Sequence, residues 1–394
     1  MSAQHGDAPI PFARPSITDR EVRAVTEVLE SGWLTTGPRA KAFEAAFATR
    51  VGARHAVAVN SATAALHLAL EAVGVAPGDD VIVPTWTFTA SAEVVTYLGA
   101  RPRLIDVEAA TLNASVERVL DAVTDRTPAV VAVHFAGRPL EIGRLVDELT
   151  PRGIAVIEDA AHAFPSRLPD LGGRYVGQIG AAGAFSFYAT KTMTTGEGGM
   201  LVTDRDDIAA RARTMSLHGI SRDAWNRYAA DGSWSYEVVA PGFKYNLTDI
   251  AAALGLVQLD RADELLDERR RLTDRYRAAF LAADAADLID LPEDAPGHAW
   301  HLFVIRLRLD AISVDRAAVI DALKARGIGT SVHFIPLHTH PYYRDHVVQP
   351  EDRFPVADAE FPRVISLPLW PGLSDADVDR VVGELVGIVR TARR

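Results

Sequence analysis

Cysteine is absent from the 394-residue chain, and lysine is scarce, with four lysines against 37 arginines. Without cysteine there can be no disulfide, no thiolate zinc site and no thiol nucleophile. The formal net charge of -11 argues against broad binding to nucleic acid or to an anionic membrane, because both need a cationic surface. We therefore expect neither nucleic acid nor a membrane as a partner.

Long apolar runs are missing as well. No run reaches the roughly 18 residues of a membrane-spanning helix. Residues 1–14 lack the basic stretch and apolar core of a signal peptide. These absences lead us to expect a cytoplasmic protein. A hydrophobic content of 48% and a charged content of 24% suit a globular chain with room for two domains.

Short apolar runs alternate with helical stretches through the first half of the chain. Continuous Val, Ile and Ala runs separated by helices predict a mainly parallel sheet buried on both faces. Two further runs are closely spaced, which predicts seven strands in all. The runs are 56–59, 81–83, 104–107, 130–135, 154–157, 185–188 and 200–203, with helices at 62–73, 88–98, 114–123 and 140–149.

The second half of the chain predicts a different unit. A long helix over 248–282 is expected to join two domains, after a polar and aromatic loop at 219–242 that is long for a plain connection. We predict a large α/β domain with an N-terminal arm over 1–250, and a linker helix with a small α+β domain over 251–394. The elements predicted in the small domain are strands at 300–307 and 332–335 and helices at 314–325 and 375–390.

Lys191 lies within 184–200, among Ser, Thr and Gly residues. Arginine stays protonated, whereas lysine can act as an amine nucleophile when its surroundings lower its pKa. A chemical role for Lys191 is one interpretation. A surface lysine on a strand-to-loop turn is the other.

Several polar residues follow predicted strands, at the edge where open α/β sheets bind ligands. The segment from Ser61 to Thr63 opens a helix, which makes either a phosphate site or an ordinary N-cap. Asp159 leaves a buried strand and needs a partner, such as a cationic ring nitrogen or a helix end. Phe88 could stack on a ring or belong to the core. Pyridoxal phosphate (PLP) requires this combination: a lysine for a Schiff base, an acid for the pyridine nitrogen and a phosphate anchor.

At these motifs the sequence resembles the DegT/DnrJ/EryC1/StrS family of PLP-dependent sugar aminotransferases, within the aspartate-aminotransferase-like fold (type I). The resemblance covers nearly the whole chain. It is most specific at 60–66, 158–162, 186–199 and 241–250.

The resemblance implies roles for individual residues. Lys191 would carry the cofactor as a Schiff base, Asp159 would pair with the pyridine nitrogen, and His162 would lie near the ring. Lys191 also argues against the dehydratase relatives, which have histidine there. The other cofactor contacts implied are Phe88 on the ring and Ala62, Thr63 and Ser186 on the phosphate.

The family also implies a homodimer with active sites at the subunit interface. A segment of the neighbouring subunit reaches the phosphate, and it corresponds to 244–246 here. Many members have Asn-aromatic-Arg in that segment, whereas this chain has Lys244-Tyr245-Asn246. The sequence does not decide between Lys244 and Asn246.

The reaction implied is transfer of an amino group from an amino acid, by analogy glutamate, to a keto sugar through the pyridoxamine phosphate (PMP) form. The segments 234–249 and 332–338 look closest to members that aminate C4 of a nucleotide-linked hexose, such as a dTDP- or UDP-4-keto-6-deoxy sugar. Such pathways make antibiotics or cell-surface polysaccharides. The substrate contacts expected are His218, Arg222, Arg227 and His333, although solvated surface charge is the alternative for each cation.

Other functions stay open as alternatives. They are a 3-keto-sugar or keto-cyclitol aminotransferase of antibiotic biosynthesis, or a non-catalytic PLP-fold regulator. A regulator would usually add a DNA-binding module, for which we expect no room in this chain. A nicotinamide dehydrogenase would carry a G-x-G-x-x-G motif after its first strand, and residues 57–62 of this chain lack it. A zinc site of His333, His338 and His340 has no suitable ligand spacing, so we expect no metal.

Overall fold

The computed structural model describes residues 8–220 and 236–394. Its central sheet has seven strands in the order β1-β9-β8-β5-β4-β2-β3, with a short hairpin of β6 and β7 outside it. The sheet is mainly parallel, since only β9 is antiparallel to its two neighbours. This arrangement confirms the predicted fold class. The strands are β1 (His55–Val59), β2 (Asp80–Pro84), β3 (Arg101–Ile105), β4 (Ala129–Val133), β5 (Ala155–Asp159), β6 (Arg167–Leu168), β7 (Arg174–Tyr175), β8 (Ala182–Ser186) and β9 (Gly199–Thr203).

Helices cover both faces of this sheet. Side chains alternate along each strand, so Val81 and Val83 of β2 enter one core while Ile82 enters the other. Burial on both faces explains why the strands are continuous apolar runs. The helices of this part are α1 (Asp19–Ser31), α2 (Pro38–Val51), α3 (Ala62–Ala72), α4 (Ala90–Tyr97), α5 (Val116–Ala122), α6 (Ile142–Leu149), α7 (Asp206–Met215) and α8 (Asp249–Asp260).

The C-terminal part has its own antiparallel sheet of three strands and a third apolar core. The arm at 8–12 pairs with this part, because the Ile10 amide donates to the Gly327 carbonyl at 2.8 Å. No helix in the described ranges is long and apolar enough to cross a bilayer. The elements are β10 (Ile289–Asp290), β11 (Phe303–Leu307), β12 (Val364–Leu367), α9 (Ala262–Ala282), α10 (Arg316–Ala325), α11 (Pro341–His346), α12 (Pro355–Glu360) and α13 (Asp375–Thr391).

The single helix predicted over 248–282 is wrong. Helices α8 and α9 are separated at Arg261, whose φ of -93° and ψ of 3° are not helical. The Arg261 guanidinium is buried and donates to the Glu21 carboxylate at 2.7 Å and to the Ser16 carbonyl at 3.2 Å. These long-range contacts lie at the break, and charge patterning along the helix could not predict them.

The strand predicted at 332–335 is also wrong. Only Ser331 bridges to Ser366, and the following residues leave the small sheet. His333 and Phe334 instead line the largest cavity at the edge of the central sheet, described next. Their apolar and aromatic character serves a cavity wall rather than a strand.

Candidate active site

A cavity of about 440 Å³ lies where β5 and β8 end and α3 begins. It brings together most of the residues that the sequence singled out. The predicted site residues that line it are Ala62, Thr63, Phe88, Asp159, His162, Ser186, Lys191 and His333.

Lys191 lies deep in this cavity, on the turn that follows β8. The Lys191 amide donates to the Tyr188 carbonyl at 2.9 Å, and the Phe187 amide closes the turn by donating to the Gly198 carbonyl at 2.8 Å. Burial lowers the pKa of the Lys191 amine to about 8, against an opposing effect of Asp159. A lysine that loses its proton this easily can act as a nucleophile and a base near neutral pH.

Asp159 lies at the end of β5 and is held by two hydrogen bonds. Its Oδ2 accepts from the Ser91 hydroxyl at 2.7 Å, and its Oδ1 accepts from the Ala161 amide at 3.1 Å. The Ser91 hydroxyl is in turn 2.7 Å from that of Thr87. Each carboxylate oxygen can accept more than one bond, so the group is fixed and can still pair with a cation in the cavity.

Glu158, one residue earlier on β5, points the other way because side chains alternate along a strand. Its oxygens accept from the amides of Gly177, Ile179 and Gly180, each at 2.7 Å, and from His134 Nε2 at 3.1 Å. Burial alone would raise the pKa of Glu158, but the bonds from His134 and the amides hold it below its usual value. Glu158 therefore fixes the loop after β7, and Asp159 faces the cavity.

The N-terminus of α3 forms one wall of the cavity. Ser61 caps the helix by accepting from the Ala64 amide at 3.1 Å, so the ordinary N-cap exists. The amides of Ala62 and Thr63 belong to the first turn, where a helix has no internal acceptors for them. Gly199 packs so closely here that a side chain would lie 2.6 Å from the Ala62 nitrogen. This wall can hold an anion such as phosphate.

The remaining walls are aromatic and imidazole rings. His162 Nδ1 accepts from the Ala136 amide at 3.3 Å, and its ring stacks on Phe334 at 5.6 Å. Burial keeps the pKa of His162 well below its usual value, and burial followed by Lys191 lowers the pKa of His333 to about 4. Both imidazoles are therefore uncharged at neutral pH. Phe88 is 56% exposed and its ring lies 5.8 Å from that of Phe334.

From the sequence, neither His301 nor Phe334 was given a role in the site, although both line the cavity. His301 precedes β11, and its amide donates to the Ala136 carbonyl at 3.0 Å. Gly137 makes this approach possible, because a side chain there would lie 3.2 Å from the His301 nitrogen. A histidine inside the apolar run 299–305 was the available signal for His301. Phe334 lies in the segment 332–338, which the resemblance had singled out without giving this residue a role of its own.

Other predicted residues lie elsewhere. Lys244 Nζ donates to Asn246 Oδ1 at 2.6 Å, and Asn246 Nδ2 donates to Thr36 Oγ1 at 2.6 Å, so neither lines the cavity of its own chain. His218 is exposed and outside the cavity lining. Arg222 and Arg227 fall outside the described residues.

The histidines considered for zinc have other partners. His333 Nδ1 lies 2.9 Å from Ser366 Oγ, and His338 lies 2.7 Å from Thr85 Oγ1 and 2.9 Å from Asp358 Oδ1. Across residues 8–220 and 236–394, no three His, Asp or Glu side chains form a group that could hold a metal ion.

These residues fit PLP. The cavity offers a deep amine on Lys191, a carboxylate on Asp159, free helix amides at Ala62 and Thr63, and an aromatic ring at Phe88. An aldehyde, a pyridine nitrogen, a phosphate and a flat ring need that set of partners.

The sequence profile of the DegT/DnrJ/EryC1/StrS aminotransferase family matches residues 15–386. The chain belongs to this family. The predicted family and the predicted cofactor are thereby confirmed, because this family of aminotransferases uses PLP.

Individual members of the family cover almost the entire chain. The spore coat polysaccharide biosynthesis protein SpsC of Bacillus subtilis is 46% identical over 97% of this chain and 98% of its own length. The Streptococcus pneumoniae protein Spr1654, solved in PLP and PMP forms, is 33% identical. Its PMP form has a TM-score of 0.88 and covers 97% of this chain and 100% of that one. PseC of Helicobacter pylori, an aminotransferase involved in the biosynthesis of pseudoaminic acid, is 25% identical, with a TM-score of 0.88 over 97% of this chain and 100% of that one.

Proposed function

We propose that this aminotransferase moves an amino group from an amino acid, L-glutamate by preference, to a nucleotide-linked 4-keto-hexose and so makes an amino sugar. A dTDP- or UDP-4-keto-6-deoxy sugar fits this class. The relatives support a sugar substrate, since SpsC acts in polysaccharide biosynthesis and PseC in the biosynthesis of pseudoaminic acid.

The observation that carries the proposal is the place of the 332–338 segment. This segment resembles that of members that aminate C4, and its residues His333 and Phe334 line the same cavity as Lys191. A segment that lies beside the reactive amine is well placed to select the position of a keto group.

In the proposed reaction, Lys191 Nζ takes the proton from the α-carbon of the amino donor and later returns a proton to the new amine-bearing carbon. The lowered pKa of about 8 suits this double use, because the amine exchanges protons readily near neutral pH. When bound, PLP supplies the electron-poor ring that takes up the charge left when that proton departs.

Asp159 acts as the fixed anion of the site. Its hydrogen bonds from Ser91 and Ala161 hold the carboxylate in place, where it can stabilise a protonated ring nitrogen placed against it. His162 and His333, uncharged and packed with Phe334, hold the wall against which the reacting carbon lies and exclude water from it.

A homodimer is the second element of the proposal. Lys244 is exposed, and neither it nor Asn246 lines its own cavity, which leaves both available to a neighbouring subunit. Phe88 and Tyr188 line the cavity and are 56% and 46% exposed, so the mouth is broad enough to be completed by another chain. Sedimentation would measure the mass, and Lys244→Ala and Asn246→Ala would show which residue affects retention of PLP.

The substrate is tested by running the second half of the reaction in reverse. Purified enzyme in the PLP form is offered amino-sugar nucleotides that differ only in the position of the amine. We expect 4-amino sugars to convert the visible absorbance of the PLP form into that of the PMP form, at a rate well above that of 3-amino sugars.

Faster conversion with 3-amino sugars or amino-cyclitols would contradict the 4-keto assignment. Conversion by glutamate alone, with no response to any amino sugar, would support aminotransferase activity and contradict a sugar substrate. No conversion by any amine would favour a non-catalytic protein.

A further inference from the structure

Arg269 on α9 is a buried cation with no counter-charge among the described residues. It is 2% exposed, and it makes no ion pair there. Burial lowers the pKa of Arg269 to about 10, so the guanidinium still carries its charge at neutral pH. Burying an unpaired charge is costly and needs an explanation.

The guanidinium holds the segment that delivers His301 to the cavity. Its Nη1 donates to three carbonyls, at 3.3 Å to Trp300, 3.2 Å to His301 and 2.9 Å to Leu369. Trp300 has a positive φ of 47°, a conformation that a side-chain-bearing residue adopts only when its surroundings hold it there. Arg269 is therefore part of what fixes the backbone at His301.

His301 connects this arrangement to Lys191. Both residues line the main cavity and a smaller one behind it, and the His301 ring lies 4.3 Å from that of His162. His301 Nδ1 is buried without a partner, as is Thr192 Oγ1 in the smaller cavity. The His301 wall is thus close to the amine, and Arg269 lies behind it, bonded to the His301 carbonyl.

Among the described residues, two charged side chains act on the protonation of Lys191 with opposite sign, and the exposed Glu197 also lines the cavity. Asp159 favours the ammonium form of the lysine and Arg269 opposes it. Burial holds the pKa of each of three facing histidines below neutrality, so they add no charge: His162, His301 and His333.

We propose that Arg269 is a positioning residue for Lys191, which fixes the His301 wall of the cavity and places behind it an uncompensated positive charge that disfavours the ammonium form of the lysine. The role deepens the proposed function, because it matters to catalysis only if Lys191 is the base. In this role a charge on α9, in the C-terminal part, changes the protonation of the Lys191 amine at the edge of the central sheet.

The test measures the protonation of Lys191 directly in the full-length protein, first freed of cofactor and then in the PMP form. Competitive acetylation with acetic anhydride across pH, followed by mass spectrometry, gives the titration midpoint of each lysine. Lys324 on α10 is exposed and serves as the internal reference amine. Thermal unfolding of each variant checks that it is folded.

Arg269→Gln removes the charge and keeps amide donors for the carbonyls. We expect it to raise the Lys191 midpoint by about one pH unit, the effect of losing one charge several ångströms away in a medium of intermediate dielectric. Arg269→Lys, which retains a charge, should stay nearer to wild type. The matched control is Arg270→Gln, on the same helix but 49% exposed and paired with Asp267, where we expect almost no shift.

A second readout separates tuning from structure. In Arg269→Gln, the acidic limb of the pH profile of the glutamate half-reaction should move upward with the labelling midpoint. An unchanged midpoint in folded Arg269→Gln would overturn the proposal. So would failure of both Arg269 variants to fold, because the arginine would then serve the fold itself. If the wild-type protein is inactive but Arg269→Gln still shifts the Lys191 midpoint as predicted, the proposed function is contradicted and the effect of Arg269 on Lys191 is supported.

Discussion

The cavity has two walls of different origin. One is the edge of the central sheet, with Asp159, Ser186, Lys191 and the start of α3; the other comes from the C-terminal part, with His301, His333, Phe334 and, behind them, Arg269. The first wall consists of short motifs at strand ends. The second is assembled from separate turns that pack against it. The reactive groups therefore follow local rules, whereas their electrostatic and aromatic surroundings depend on long-range packing.

The largest expected effect is at Lys191, the reactive group of the first wall. Lys191→Ala removes the amine from the first wall, and we expect aminotransfer to fall by at least about 10,000-fold, since both the covalent link and the base are lost. Steady-state rates with glutamate and a keto sugar measure this. The matched control is Lys324→Ala, an exposed lysine, which should keep the wild-type rate. Substantial aminotransfer by the Lys191 variant would remove the central role of this residue.

Two adjacent carboxylates at the end of β5, Asp159 and Glu158, are expected to have different roles. Asp159→Asn removes the negative charge that faces the cavity, and we expect kcat/KM to fall by roughly 100- to 1,000-fold with little change in stability. Glu158→Gln places an amide group against backbone donors and should cost about 3 kcal/mol of unfolding free energy.

Activity and urea unfolding are measured for both variants. If Glu158→Gln lost activity while keeping its stability, the separation of the two carboxylates into chemical and structural roles would be wrong.

The pH dependence of stability tests whether the second wall encloses Lys191. The lysine has a pKa of 10.5 as its reference value and about 8 in the fold, so between these pH values the unfolded chain binds more protons. Folding stability of the cofactor-free protein should therefore rise by about 3 kcal/mol from pH 8 to 10.5, relative to Lys191→Met. Urea unfolding at intervals of pH would measure this rise. If the unfolding free energies of the wild type and Lys191→Met changed in parallel with pH, the Lys191 amine would be solvated in the fold.

The smallest expected effect belongs to the aromatic part of the second wall. Phe334→Ala removes ring contacts to Phe88, Phe135 and His162. We expect kcat/KM to fall about five- to tenfold, in line with about 1 kcal/mol for aromatic contacts. Phe361→Ala, whose ring packs against Arg316 outside the cavity, is the control and should affect stability more than catalysis. If Phe334→Ala and Phe361→Ala changed KM equally, Phe334 would not belong to the substrate site.

Much of the first wall could be predicted because its signals are local. Apolar runs buried on both faces predicted the central sheet, and the residues after the runs predicted where Asp159 and the start of α3 would meet, whereas Ser186 was expected from the family resemblance. Lys191 stood out because lysine is rare in this chain.

The second wall could not be predicted in the same way. His333 was expected at the substrate, but 332–335 resembled a strand, and only packing shows that it leaves the small sheet. His301 reaches the cavity because Gly137 leaves room for it and Arg269 holds its carbonyl, two contacts made 164 and 32 positions away in the chain. Likewise, the break at Arg261 coincides with the distant partner Glu21.

By itself, the sequence determined the alternation of strands and helices in the first half of the chain, the mainly parallel sheet and the residues that carry charge or an amine to its edge, since periodicity and strand-end motifs act within a few residues. Only the tertiary structure decided the surroundings of those groups. Burial, Asp159 and Arg269 involve segments far apart in the chain, and together they set how readily Lys191 gives up its proton. A pKa depends on every charge and every excluded water nearby, so it exists only once the chain is folded.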